Sequence, residues 1–191
     1  MKKFELTTDF ITVFGVKLFR IKALIEFGNI KAGELGGYVQ KEENLAQSGN
    51  AWVYGNAEVS GNARVSGNAR VYGDAWVYGD AEVYGNAEVS GNAWVSGNAR
   101  VSGNARVYGN ADYTTIKGFG TEYRNTTFFR CKDGGVKVAC GCFLGTIDEF
   151  RKQVTDTRKG NIAKEYLMIA DLMEYHFAEE KENAVEKNLD E

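Results

Sequence analysis

The chain has 191 residues, of which 26% are charged and 43% hydrophobic, and its formal charge is -3 at pH 7. A net negative charge gives no electrostatic basis for binding nucleic acid. The start, Met1 to Glu5, lacks the apolar core of a signal peptide, and no stretch is apolar enough for a membrane span, so we expect a cytoplasmic protein with reduced cysteines.

Residues 1–36 are predicted to form an N-terminal cap for the segment that follows. The stretches Phe10–Phe14 and Val16–Lys22 favour strands, and Gly15 between them favours the turn of a β-hairpin. A repeat protein needs such a cap, because its first repeat would otherwise expose apolar core to water.

A six-residue repeat fills the chain from Gly49 to Asp112. Its pattern is Gly-(Asn/Asp)-Ala-x-Val-(Ser/Tyr), with ten full copies and a partial eleventh that begins at Gly109. Alanine and valine lie two positions apart, so both point to one side of an extended chain, and residue x between them points to the other. A glycine in every copy excludes a long α-helix. The period therefore predicts a solenoid of short strands and turns, which we place at residues 37–114.

We expect the solenoid to begin before the regular copies. Gly37 and Val39 are assigned to the glycine and alanine columns, and Leu45 to the alanine column of the next hexad. This assignment puts Lys41 and Gln47 at valine positions. The first coil is then predicted to be a degenerate copy that is in register with the others.

The repeat resembles that of the hexapeptide-repeat proteins, in which an inward aliphatic residue is followed four positions later by a small one. This resemblance implies a left-handed parallel β-helix with three hexads in each coil. It also implies a homotrimer, the common assembly of that family. The fold class that we expect is mainly β, with a β-hairpin cap before the β-helix and a small α+β module after it.

With three hexads per coil, the outward residues fall into stacked columns on three faces. The second face carries Trp76, Tyr78 and Trp94, and we predict that this aromatic face packs between protomers. Arginine and tyrosine on the other faces are typical of binding hot spots and could bind a partner protein or a nucleotide-like anion. The alternative is that the arginines only keep the surface soluble. These candidate binding residues are Arg70, Tyr72, Arg106 and Tyr108 on the first face, which Trp52 shares, and Arg64, Tyr84 and Arg100 on the third.

Residues 115–178 leave the six-residue period and are predicted to form the α+β module. The strands Thr126–Cys131 and Val136–Cys140 are predicted to pair as a hairpin. Their alternation places Cys131 and Cys140 on one face of the hairpin, which we interpret as its core face.

Two helices are predicted after this hairpin. Thr146 and Glu149 have the spacing of a capping box, which favours a helix from there to about Arg158. A second helix is expected to begin at Asn161, because apolar residues follow it at helical spacing. The acidic segment 179–191 is expected to fray.

Neither a metal site nor a catalytic site is expected. Cys131, Cys140, Cys142 and His176 match no zinc-binding spacing, and reduced, buried thiols are the favoured interpretation. Hexapeptide-repeat acyltransferases use a histidine in the coil as general base, and the related carbonic anhydrases use three to bind zinc, but this array contains none. Acidic residues such as Glu58 are placed on flat, solvated faces, where nothing tunes a carboxylate for catalysis. We therefore predict no cofactor.

The segment Gly36-Gly37-Tyr38-Val39 followed by the array resembles proteins of phages and prophages that lack an assigned activity. We expect a non-enzymatic, trimeric interaction protein in the cytoplasm of a host cell. It would bind a host protein, antagonise a host defence or sequester a nucleotide signal. Two alternatives stay open: an acyltransferase-like enzyme and a structural component of a virion or fibre.

Overall fold

The computed structural model describes residues 1–187, with side chains described up to Ala178. In chain order the elements are β1 (Phe4–Val13), β2 (Val16–Ala23), β3 (Leu35–Val39), β4 (Trp52–Val53), β5 (Glu58–Val59), β6 (Arg64–Val65), β7 (Arg70–Val71), β8 (Trp76–Val77), β9 (Glu82–Val83), β10 (Glu88–Val89), β11 (Trp94–Val95), β12 (Arg100–Val101), β13 (Arg106–Val107), β14 (Tyr113–Phe119), β15 (Arg124–Arg130), β16 (Val136–Cys140), β17 (Phe143–Thr146), α1 (Ile147–Thr157) and α2 (Gly160–Lys187).

The repeats form a parallel β-solenoid, as the period predicts. Each two-residue strand from β4 to β10 pairs with the strand three places further on, so that Trp76 lies beside Trp94 and Arg70 beside Glu88. The first face is the sheet β4-β7-β10-β13, the second contains β5-β8-β11, and the third is β6-β9-β12. Three hexads per coil are thereby confirmed, whereas the left-handed sense of the coil stays a prediction.

The interior of the solenoid consists of the alanine and valine columns. Every alanine from Ala51 to Ala105 and every valine from Val53 to Val107 in the repeat is fully buried. Glycine is needed at the corners because consecutive coils approach closely there. At Gly49, which has a φ of +72°, a Cβ would lie 2.6 Å from the carbonyl oxygen of Gly67.

Amide side chains form ladders along the corners of the solenoid. Asn50 Nδ2 donates to Asn68 Oδ1 at 3.1 Å, and Asn68 donates in the same way to Asn86 at 3.0 Å. In the other two columns, Asp80 accepts from Asn62 at 3.1 Å and Asp74 accepts from Asn56 at 3.4 Å. Each aspartate occupies an asparagine column, so its carboxylate accepts where the side-chain oxygen of an asparagine otherwise would.

The register that we predicted for the first coil is wrong by two residues. Val39 lies beside Val59 and Leu45 beside Val65, so both occupy valine positions instead of alanine positions. The two extra residues lie between Leu45 and Val53. Just before this insertion, the side chain of Asn44 takes the place of backbone pairing: it accepts from the amide of Lys41 and donates to two carbonyls of the next coil.

The N-terminal hairpin closes the first end of the solenoid. Its strands β1 and β2 are antiparallel, and β2 pairs with β3, which continues the sheet of the second face. Gln47, in the two-residue insertion, accepts from the amide of Lys3 at 2.8 Å and donates to the carbonyl of Phe4 at 3.3 Å. Trp52 has its predicted place on the first face, beside Arg70, but it is fully buried between Phe4 and Phe27 and not exposed to solvent.

The C-terminal module is an antiparallel sheet, β14-β15-β16-β17, that lies between the solenoid and the two helices. The predicted hairpin is confirmed as β15 and β16, and Thr146 caps α1 through a reciprocal capping box with Glu149. The sequence does not predict β14 and β17. Cys131 and Cys140 do not share a face, since Cys131 packs against the solenoid and Cys140 against the helices.

Side chains of the C-terminal module also pair the last backbone groups of the solenoid. The hydroxyl of Tyr113 donates to the carbonyl of Trp94 at 2.6 Å and accepts from the amide of Ser96 at 3.3 Å. On the third face, Thr127 Oγ1 accepts from the amide of Arg100 at 3.0 Å. These bonds satisfy polar groups that an uncapped final coil would leave unpaired.

The last helix contains the start of the acidic segment 179–191. The backbone of α2 is helical to Lys187, and the final four residues lie outside the described part of the chain. The expected fraying of this segment stays a prediction. Over the residues that the structure describes, no helix is long and apolar enough to cross a membrane.

Candidate functional site

Four aromatic side chains form a continuous cluster on the second face, which we call the aromatic surface: Phe14, Trp76, Tyr78 and Trp94. The ring of Trp76 lies at its centre, 4.5 Å from the ring of Tyr78 and 5.6 Å from that of Trp94. Phe14, at the tip of the N-terminal hairpin, stacks on Trp76 with an interplanar angle of 12° and a centroid distance of 5.7 Å. The structure thus brings together the three residues predicted for the interface and adds Phe14.

The aromatic surface is partly open to solvent. Phe14 is 86% exposed and Trp94 is 49% exposed. Trp76 is fixed from below by the hydrogen bond from its Nε1 to Ser60 Oγ, at 3.2 Å. Glu58 lies next to Trp76 in the same column, and burial raises the pKa of its carboxyl group. Apolar rings of this size in water favour a contact with another protein surface.

The candidate binding residues on the other two faces do not converge into one site. The first face holds four of them (Arg70, Tyr72, Arg106 and Tyr108) and the third face holds three (Arg64, Tyr84 and Arg100). Acidic residues separate the arginines within each column. Glu88 lies between Arg70 and Arg106, and Glu82 between Arg64 and Arg100.

These acidic residues form ion pairs that partly neutralise the positive charge of each column. Glu82 is 3.1 Å from the Nε of Arg100, and Glu88 is 2.9 Å from the ammonium of Lys132. Arg64 lines an open cavity of about 510 Å³ together with Glu42, Glu43 and Gln47. Alternating charge suits a solvated face, and the described part of the chain forms no tyrosine-lined groove with unopposed arginines on these two faces.

Arg100 differs from the other arginines because the C-terminal module adds two more cations beside it. A cavity of about 480 Å³ opens where the third face meets β14 and β15, and we call it the junction cleft. Its lining residues are Asn98, Arg100, Lys117, Arg124, Asn125 and Gly141.

Gly141 brings the two arginines of the junction cleft together. Its carbonyl accepts from Arg100 Nη1 at 3.0 Å, while a Cβ at this position would lie only 2.7 Å from Arg124 Nη1. Asn125 links the C-terminal module to the solenoid, since its Nδ2 donates to the carbonyl of Asn98 at 2.9 Å. The sequence analysis missed Lys117 and Arg124, because outside the repeat no periodic signal shows which residues approach the solenoid.

The cysteines and the histidine are dispersed. Cys131 is buried, Cys140 is half-buried and Cys142 is exposed, and no three potential ligands cluster within the part of the chain with described side chains. Burial raises the pKa of the Cys131 thiol, which keeps it protonated and unreactive. His176 packs its ring edge-on against Phe177 at 5.1 Å. The absence of a bound metal stays a prediction.

Comparison with protein families finds one match that fits this geometry. The model of the YdcK beta solenoid repeat matches three stretches of the chain, residues 57–73, 63–79 and 99–111. All three lie in the array of short strands. A comparison with curated proteins finds no match. The matched repeats and the parallel stacking of their strands show that the chain is a repeat β-helix protein similar to the YdcK beta solenoid.

Proposed function

We propose that this is a non-enzymatic interaction protein of phage or prophage origin that assembles as a homotrimer and binds a host protein in the cytoplasm. The observation that carries this proposal is the aromatic surface. Tryptophan, tyrosine and phenylalanine supply large contact areas at low entropic cost, and they dominate the energetics of protein interfaces.

The shape of the second face favours other copies of the chain as its occupants. Its side chains stand on two-residue strands at a fixed spacing along the solenoid, so the surface runs parallel to the long axis. Trp76 is held in place by Ser60 and Phe14, which reduces the entropy lost on association. The number of three protomers comes from the resemblance to hexapeptide-repeat proteins.

Sedimentation velocity tests the assembly. The wild type should sediment as a trimer, and the double variant Phe14→Ser with Trp94→Ser should shift towards the monomer. Both side chains are exposed, so that the fold should be retained, which circular dichroism checks. Tyr108→Ser is the matched control, since Tyr108 is 63% exposed on the first face. A monomeric wild type, or a double variant that remains trimeric, would refute the role of the aromatic surface.

A binding role is favoured over an acyltransferase-like enzyme. The only histidine of the chain, His176, lies on α2, far in sequence from the solenoid, and the candidate residues stand on separate, solvated faces. Turnover of acetyl-CoA that depends on a residue of the solenoid would instead establish an acyltransferase-like enzyme. Detection of the protein in purified virions by mass spectrometry would establish a structural component.

A further inference from the structure

We propose that the junction cleft binds a compact anion that carries phosphate groups, with a diphosphate group as the recognised unit. The cleft collects three cations from three elements: Arg100 from β12, Lys117 from β14 and Arg124 from β15. Its volume of about 480 Å³ lies within the range of small-molecule sites, roughly 300–1,000 Å³. This site is separate from the aromatic surface, so anion binding here does not depend on the proposed trimer.

The hydrogen-bond donors of the cleft are only partly used. Arg100 directs its Nε to Glu82 and its Nη1 to the carbonyl of Gly141, which fixes its guanidinium in place. The side-chain ammonium of Lys117 forms no ion pair or hydrogen bond with any described residue. An ammonium and a pre-oriented guanidinium are the groups that bind phosphate oxygens best.

The acidic groups nearby do not neutralise these cations. Glu82 faces only Arg100 among the three, at 3.1 Å. Glu122 is 4.0 Å from Nη2 of Arg124, and both side chains are more than half exposed, which makes this pair weak. Two cations, Lys117 and Arg124, are therefore available to an anion that enters from solvent.

The lining of the cleft also limits the class of anion. None of the described lining residues is aromatic, so a nucleobase would find no ring on which to stack. The side-chain amide of Asn98 can donate to a phosphate or hydroxyl oxygen, whereas the amide nitrogen of Asn125 already donates to the carbonyl of Asn98 and to Thr127. Recognition should depend on the phosphate groups and not on an attached base.

Isothermal titration calorimetry with inorganic pyrophosphate tests this inference on the full chain. We expect one binding event per chain, and the double variant Lys117→Gln with Arg124→Gln should weaken it by at least about tenfold. Arg70→Gln is the matched control, because Arg70 is an exposed arginine at the same hexad position on the first face, and it should bind as the wild type does. Thermal melts verify that each variant is folded.

Titration with ADP separates a free diphosphate from one that belongs to a nucleotide. ADP should bind no more tightly than pyrophosphate, because the base makes no contact in the cleft. The proposal is wrong if pyrophosphate does not bind, if the cleft variant binds as tightly as the wild type, or if ADP binds more than about tenfold more tightly than pyrophosphate.

Discussion

The side chain of Lys3 places an ammonium group at the N-terminal end of the solenoid core. The side chain is 2% exposed, its Nζ donates to the carbonyl of Ala51 at 2.9 Å, and the ring of Phe27 lies 4.9 Å away. Burial without a carboxylate partner lowers the pKa of this lysine to about 8. A charged side chain thus covers the apolar core of the first coil. Burying this charge lowers the free energy of unfolding by an amount that depends on pH.

The pKa of Lys3 predicts how the free energy of unfolding changes in base. Between pH 8 and 10.5 the unfolded chain binds a proton that the folded chain does not, so stability should rise with pH in this window. Relative to Lys3→Met, the wild type should gain up to about 3 kcal/mol across the window. Urea titrations at several pH values measure this, with Lys2→Met as the baseline for losing a lysine at this terminus. A difference that does not change with pH would contradict the burial of the ammonium.

Glu58 predicts a pH dependence of the opposite sign. Its pKa is raised above the ordinary value of 4.5 by burial, so the folded chain holds the proton more tightly, and stability should fall as pH rises through 4.5 to the raised pKa. Glu58→Gln should therefore raise the melting temperature at pH 7 and change it less in acid. Glu88→Gln, which removes an ion pair with Lys132, should not stabilise the protein. An equal effect of Glu58→Gln at both pH values would exclude this explanation.

At the scale of elements, prediction from sequence succeeded where the pattern is local and repeated. The alanine, valine and asparagine columns follow from spacing alone, and Thr146 with Glu149 defines the start of α1. The register of the first coil does not follow, because its two-residue insertion contains Gln47, which bonds to Lys3 and Phe4, residues that are distant in sequence. The junction cleft could not be predicted for the same reason: Lys117 and Arg124 reach Arg100 only through the docking of a separate sheet.

The bond from Arg100 to Thr127 makes the closure of the solenoid testable. Thr127 is 1% exposed, and Thr127→Val keeps its shape while leaving the amide of Arg100 without a partner. We expect a loss of about 1–3 kcal/mol in the free energy of unfolding. Thr115→Val is the matched control, because Thr115 is the exposed neighbour of Thr127 on the adjacent strand. Equal stabilities of the two variants in urea titrations would show that this closure contributes nothing.

At the scale of the whole molecule, the solenoid should tolerate the loss of one coil but not of one hexad. Deletion of residues 55–72 keeps every later hexad on its own face and retains Trp52, Trp76 and Trp94. Deletion of residues 55–60 moves every later hexad by one face, which separates Trp76 and Trp94 from Phe14 and β3. Each coil interacts chiefly with its neighbours, so the longer deletion should leave a folded protein.

Circular dichroism and sedimentation compare the two deletions. The variant that lacks 55–72 should unfold cooperatively, and the variant that lacks 55–60 should lose stability and sediment differently. If the shorter deletion is the better tolerated, the pairing of hexads across three faces does not determine the fold.

The regular stacking of coils also sets a distance. Each complete coil adds about 4.8 Å, the spacing of neighbouring strands, to the distance between the N-terminal hairpin and the C-terminal module. It leaves the rotation of one end relative to the other unchanged. The length of the solenoid can therefore change only in steps of one coil if the two end modules are to keep their relative rotation. A target that touches both ends would accept one number of coils and reject its neighbours, so the count of repeats would act as a ruler for the partner.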